Sequence, residues 1–135
     1  MEQAVGVFCE FQTKLLYLRY PPLKPQRGRW GLPGGRVERN DDIPAAMTRE
    51  LREETGILAS GFPLFREFHN LSSTLIPYRF HLFVLKLASE PLITLSPEHD
   101  SYAWVTAEEA AKLPLAHNAD QGLAHYISQL HPPAS

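Results

Sequence analysis

Glu50, Glu53 and Glu54 stand three or four residues apart, or side by side, in the run from Gly34 to Ile57, GGRVERNDDIPAAMTRELREETGI. Such spacings bring carboxylates to neighbouring positions on one face of a helix. Placing residues 43 to 57 at about 100° each puts Ile43, Ala46, Met47 and Ile57 on one side with the three glutamates among them. Thr48 and Arg52 fall on the other side. A surface helix sends its glutamates to water, and desolvating several of them without partners is costly. A cation on that face resolves the conflict, and a hard divalent ion such as Mg²⁺ takes oxygen ligands of this kind while keeping several waters. The competing reading is a solvated face on which Arg49 and Glu53 form an i,i+4 pair. That pair accommodates Glu53 and leaves Glu50 and Glu54 inside the apolar stripe.

The helix needs ends and a support. Asp41 or Asp42 can cap it through a side-chain oxygen, with Pro44 in the first turn where a missing N–H does no harm, and Gly56 suits a left-handed stop. Gly34 and Gly35 let backbone approach closely. Residues 4–11 and 14–20 read as two strands joined at Gln12-Thr13, Pro21 to Arg29 as a loop, and Trp30 to Pro33 as an entry into the sheet. Phe62 to Asn70 and Tyr78 to Leu87 add two strands, and the apolar run from Leu82 suits a central position. Tyr102 to Val105 is a short strand, Thr106, Glu108 and Glu109 open a short helix, and Ala119 to Leu130 forms the last one. Helices distributed among strands indicate a layered α/β architecture.

At 135 residues the expectation is one domain over residues 1–130, with a Pro/Ser tail at 131–135 that frays. The acidic start lacks a secretory pattern and no stretch reaches membrane-spanning length, so the cytoplasm is the expected compartment. One cysteine excludes an internal disulfide framework, and Cys9 in an apolar run reads as a small buried hydrophobe. A formal net charge of −2 disfavours long nucleic acid as a partner. Arg19, with Lys24, Arg27 and Arg29 in the following loop, is a cationic cluster that could clamp phosphates; Arg19 is the favoured member, and loop solubility accounts for Lys24 and Arg27. Among the histidines, His99 could hydrogen-bond to a substrate but reads more simply as an exposed structural residue, while His69 and His81 show no metal-like pairing.

The run resembles the Nudix box, G-x5-E-x7-R-E-U-x-E-E-x-G-U with U aliphatic. Gly35 opens it, Arg49, Glu50 and Leu51 supply R-E-U, and Glu53, Glu54, Gly56 and Ile57 complete it; Asp41 stands where the family has its first glutamate. The WGLPGG entry and the later EHDSYAW segment extend the likeness over most of the chain. The resemblance implies a Nudix α/β/α sandwich with a mixed central sheet, and hydrolysis of a nucleoside diphosphate linked to a further group. It implies Mg²⁺, with Mn²⁺ as a substitute, held by Glu53 and Glu54, by the Gly34 carbonyl, and by Glu50 as ligand or base. Arg49 would orient Glu53 or another box carboxylate. Glu98, six residues before Trp104, matches a further metal-binding or base glutamate, with Asp100 as runner-up and a solvated loop acid as the plain alternative. Arg19, Gly35 and Asn118 are the expected substrate contacts, although Asn118 with Gln121 also fits a capping box for the last helix.

Within the family the expected reaction is conversion of a nucleoside triphosphate to monophosphate and pyrophosphate, on a small-molecule nucleotide, with a homodimer as a compatible assembly. The proline that marks diphosphoribose-sugar hydrolases falls on residues 72 to 74, which are Ser-Ser-Thr, and the tyrosine of dinucleoside polyphosphate hydrolases is displaced to Tyr78. An RNA 5′-end pyrophosphohydrolase would want a basic track outside the pocket. A non-catalytic binding module on this fold would be expected to have lost the box carboxylates, which stand here.

Overall fold

The computed structural model describes residues 2–22, 27–38, 40–69, 78–116 and 119–130. The elements follow in the order β1 (Glu2–Phe11), β2 (Lys14–Arg19), β3 (Trp30–Gly31), β4 (Gly34–Arg36), α1 (Ile43–Thr55), β5 (Leu64–His69), β6 (Tyr78–Leu87), β7 (Ser101–Val105), α2 (Ala107–Ala110) and α3 (Ala119–Leu130). The period-two alternation of strand side chains divides the core. Val5, Val7 and Cys9 of β1 join Leu16, Leu18 and Phe83 beneath Met47 and Leu51 of α1, whereas Phe8 joins Leu15, Tyr17 and Leu82 beneath α2 and α3. The result is an α/β/α sandwich on a seven-stranded mixed sheet, since β1 runs parallel to β6 and the other pairs are antiparallel. Cys9 is fully buried, and burial pushes its thiol up to about 12.

One edge of β1 is shared, and this fork builds the site. β1 meets β2 at Glu10↔Leu15 and Phe11↔Lys14, next to the turn where Gln12 takes a φ of 57°, and meets β4 at Ala4↔Arg36 through Gly6↔Gly34. Between the two contacts the chain crosses at Leu32 and Pro33, held by the Val7 N–H donating to the Pro33 carbonyl at 3.0 Å. Thus the expected entry of residues 30–33 into the sheet shortens to β3, and the glycine pair itself becomes a strand. Gly34 makes that pairing possible. A Cβ there would drive into the Val5 carbonyl and come within 2.8 Å of the Gly6 Cα.

Other boundaries shift by small amounts with evident causes. The fifth strand starts at Leu64 because Pro63 has no N–H; the neighbouring β6 uses only its carbonyl, which accepts from Val84 at 3.2 Å. β6 lies between β1 and β5, the interior position its apolar run suggested. α2 begins at a reciprocal cap, in which the Glu109 N–H donates to Thr106 Oγ1 at 3.1 Å and the Thr106 N–H to Glu109 Oε1 at 2.9 Å. Among the described residues no helix is long and apolar enough to cross a membrane. Lys24, the 72–74 segment, Asn118 and the 131–135 tail lie outside the described residues.

Candidate active site

α1 is bounded by two side-chain choices. Asp42 caps it, accepting from the Ala45 N–H at 3.1 Å, and Gly56 closes it at a φ of 80° with its N–H on the Arg52 carbonyl at 2.9 Å. Asp41 is thereby released from capping and takes Arg49 Nη1 at 2.9 Å, while Arg49 Nη2 lies 3.7 Å from Glu50 Oε1. The alternative Arg49–Glu53 pairing gives way to this bridge, because Asp41 lies near the part-buried guanidinium at the start of the helix, and the box carboxylate beside Arg49 is Glu50. The family's first glutamate position thus holds an aspartate that anchors Arg49.

The three glutamates are not equivalent. Glu54 is buried at 4 % exposure, with Oε1 accepting the Gly34 N–H at 2.8 Å, and Glu50 is half-buried. Glu53 is exposed, contrary to its placement inside the apolar stripe. Six residues after Met47 at about 100° each leave it about 120° off the buried axis, on the flank. Burial pushes the Glu54 carboxyl up to about 9; the Gly34 N–H opposes this, while the charges of Glu50 and Glu98 and a hydrogen bond to Glu98 add to it. Glu50 is also raised, by burial first and by the Glu53 charge next, against the pull of Arg49. Glu98, 44 positions beyond Glu54 and in neither helix nor strand, is exposed, and its charge bears on both Glu50 and Glu54.

These residues fit a hard divalent cation. A buried carboxylate flanked by two others lacks positive charge, and at Gly35 a Cβ would stand 2.8 Å from the Glu50 carboxyl carbon, so the glycine leaves the space the cluster occupies. Among the described residues no three His, Cys, Asp or Glu side chains are grouped so as to hold a metal ion by themselves. Mg²⁺ needs none, since it is held through one or two carboxylates with waters and substrate phosphate completing its shell.

A cleft of about 340 Å³ is lined by Gly34, Gly35 and Arg36 together with Tyr20, Gly31, Leu32, Phe80, Leu82, Ala116 and Gly122; it adjoins the carboxylates through the two glycines, which neighbour Glu54 and Glu50. Sequence reasoning missed Tyr20, Arg36 and the Phe80/Leu82 floor. Gly122 did leave a signal, because a glycine inside a helix lowers stability and implies close approach; a Cβ there would meet Leu82 Cδ1 at 2.9 Å. Arg19 is not among the cleft residues. Its Nε and Nη2 donate to Asp100 Oδ1 and Oδ2 at 2.9 and 3.1 Å, which also engages the runner-up carboxylate. Arg29 Nη1 donates to the Leu115 carbonyl at 3.1 Å, and Arg27 is exposed.

Two histidines are buried, and His99 departs from expectation. His99 is buried at 4 % exposure, its ring 4.6 Å from that of Tyr20, with neither nitrogen partnered among the described residues; burial holds its pKa down. A loop position gave no hint of this, because the covering ring comes from β2's end. His81 is buried between Glu67, 3.2 Å from Nδ1, and Gln3, 2.9 Å from Nε2, an arrangement that completes a side-chain network rather than a metal site.

The raised Glu54 carboxyl predicts a pH signature in metal-free protein. Between the usual 4.5 and about 9 the folded state keeps a proton that the unfolded state has lost, so stability falls as pH rises through that window. Thermal denaturation at pH 5, 7 and 9 should show the decline, and Mg²⁺ or Mn²⁺ should flatten it by favouring the carboxylate. An identical slope in a Glu54→Gln variant would remove Glu54 as its source.

The comparisons with known proteins agree with this geometry. The NUDIX domain family model matches residues 2–127. The CTP pyrophosphohydrolase of Escherichia coli K12 is 32 % identical over 117 residues, covering 86 % of this chain and 84 % of that protein. A putative 8-oxo-dGTP diphosphatase 2 of Mycobacterium tuberculosis is 40 % identical over 87 residues, 61 % of this chain and 57 % of its own length. The crystal structure of a MutT protein from Methanosarcina mazei Go1 superposes with a TM-score of 0.79 at 21 % identity, covering 98 % and 96 % of the two chains, a likeness of fold. With the box carboxylates gathered at the sheet fork and a family match across nearly the whole sequence, this chain belongs to the Nudix family and is a pyrophosphohydrolase.

Proposed function

We propose that the chain hydrolyses a nucleoside triphosphate to the monophosphate and pyrophosphate with Mg²⁺, or Mn²⁺ in its place. The observation that carries this reading is the buried Glu54 carboxylate, tied to the Gly34 N–H and flanked by Glu50 and Glu98, with Gly34 also lining a cleft of small and aromatic residues. Its walls suit a flat base and its mouth a phosphate chain. Both sequence relatives are named for activity on a nucleoside triphosphate, which supports that class.

Glu53, Glu54, Glu50 and Glu98, with the Gly34 carbonyl, would hold the ion. When bound it supplies positive charge against the pyrophosphate bridge and makes the attacking water more acidic. The chain's own groups do the rest. Glu54 is fixed by the Gly34 N–H, and Arg49, braced on Asp41, would direct Glu50, our candidate to take the proton of the attacking water. Arg36 borders the cleft beside Gly35 with a 79 % exposed side chain, only 3.6 Å from Glu2, and is positioned to reach the phosphates. Gly35 lets the phosphate chain come close to backbone.

The test is one screen with Mg²⁺ and with EDTA, using ribo- and deoxyribonucleoside triphosphates, ADP-ribose, a dinucleoside polyphosphate and a 5′-triphosphorylated oligoribonucleotide, with products separated by anion exchange. Monophosphate and pyrophosphate from at least one free triphosphate, abolished by EDTA, is the expected result. Cleavage confined to ADP-ribose, the dinucleotide or the RNA would move the reading to that substrate class. Tight nucleotide binding with no cleavage at all would replace catalysis by a binding role.

A further inference from the structure

We propose that Arg19 and Asp100 act together as a positioning pair that sets Glu98 against the box carboxylates. The inference rests on the hydrolase reading above and assigns Arg19 a task other than gripping phosphate. Glu98 sits on a turn with little hold of its own: its N–H reaches Ser96 Oγ at 3.4 Å and the His99 N–H reaches the Ser96 carbonyl at 3.3 Å, both long. The firm contacts come immediately after it, from the end of β2. Arg19 grips Asp100 with two N–H donors at 2.9 and 3.1 Å, and the Asp100 N–H donates to the Arg19 carbonyl at 3.0 Å. Tyr20 packs on the buried His99 ring at 4.6 Å, and the β2–β7 ladder begins at Arg19↔Ser101. Residues 99, 100 and 101 are therefore each tied to residues 19 and 20, and Glu98 is the next residue along the chain.

The two-point grip matters for direction more than for folding. An Arg–carboxylate pair with two parallel hydrogen bonds restricts orientation as well as distance, whereas an ion pair with side chains 42 % and 32 % exposed adds little to global stability. The same grip engages Arg19 Nε and Nη2, and the guanidinium carbon lies 6.0 Å from the Trp30 ring centroid, outside the cleft residues. Glu98 in turn stands near enough to Glu54 and Glu50 for its charge to bear on both. A displacement of the turn of about 1 Å is enough to change turnover by orders of magnitude at a positioned group.

The experiment compares Asp100→Asn, Arg19→Gln, Glu98→Gln, the Asp100→Asn/Glu98→Gln double variant and the swap Arg19→Asp/Asp100→Arg in the full chain. Turnover, KM, melting temperature and Mn²⁺ affinity, the last without substrate, are measured for each. Asp100→Asn and Arg19→Gln should reproduce, roughly tenfold or more in turnover, whichever of turnover and Mn²⁺ affinity Glu98→Gln changes, with KM within about twofold and the melting temperature little moved. Asp100→Asn should add nothing in the Glu98→Gln background, and the swap should recover part of the loss. Additive losses, a raised KM with turnover intact in Arg19→Gln, inactivity of Asp100→Asn with Arg19→Gln normal, or no effect of Glu98→Gln would each overturn the proposal. If the wild type binds Mn²⁺ yet hydrolyses no nucleotide, the hydrolase reading fails by itself, and matching Mn²⁺ losses in Asp100→Asn and Glu98→Gln would still support the pair.

Discussion

Replacing Glu54 by glutamine should abolish most hydrolysis while making the metal-free protein more stable at alkaline pH. The carboxylate is buried at 4 % exposure, and desolvation with the neighbouring Glu50 and Glu98 charges opposes its ionisation. Glutamine keeps the volume and an oxygen for the Gly34 N–H, so the contact at 2.8 Å survives while the unfavourable charge goes. Loss of a principal metal ligand removes several kcal/mol of transition-state stabilisation, or roughly a hundredfold or more in turnover. The melting temperature at pH 8 without metal should rise by roughly 5 °C. Glu53→Gln separates the two effects, because Glu53 is exposed: turnover should drop by a similar factor with the melting temperature unchanged. Near-normal Mg²⁺-supported turnover in the Glu54 variant would sink the metal assignment.

The adjacent glycines should respond to the same substitution in opposite ways. At Gly34 an added Cβ collides with the backbone of Val5 and Gly6, which cannot move without breaking the β1–β4 ladder. Gly34→Ala should therefore destabilise the protein by about 2–4 kcal/mol, seen as a large fall in melting temperature, with activity lost as the strand leaves Glu54. At Gly35 the Cβ meets only the far end of the Glu50 side chain, 2.8 Å from its carboxyl carbon and Oε2. That end can swing aside, so Gly35→Ala should melt within a few degrees of wild type. Turnover should still fall on the order of a hundredfold, because Glu50 is displaced by about 1 Å. The two variants compared by calorimetry and by kcat test the fork: equal stabilities would mean that β4 is not pinned as described.

The parts of the site legible in the sequence were those whose geometry is local. Helical spacing alone associates Glu50 and Glu54 with Met47 and Ala46, and a left-handed stop at Gly56 follows from its place after the last apolar turn. Local spacing also carried the strand pair at the N-terminus and the start of α2, where each partner lies within a few residues. Even within the helix the limit shows. Glu53 lies on the flank of the stripe and is exposed, whereas the partner of the buried Glu54, the Gly34 N–H, comes from across the fork.

Pairings between distant segments escaped. Arg49 had Glu53 one turn away and took Asp41 instead, because Asp42 won the capping position and left Asp41 available near the start of the helix. Arg19 and Asp100 are 81 positions apart, and each had been read as a separate candidate for the reaction; the β2–β7 register brings them together and turns both toward each other. His99 was an unremarkable loop residue until Tyr20 covered it. By itself the sequence determined the family and the helix that carries the candidate carboxylates, because those follow from residue types at short spacing. Which carboxylate is buried, which cation serves which anion, and where the cleft opens were decided by the tertiary structure, because burial and charge pairing depend on contacts that chain order does not contain.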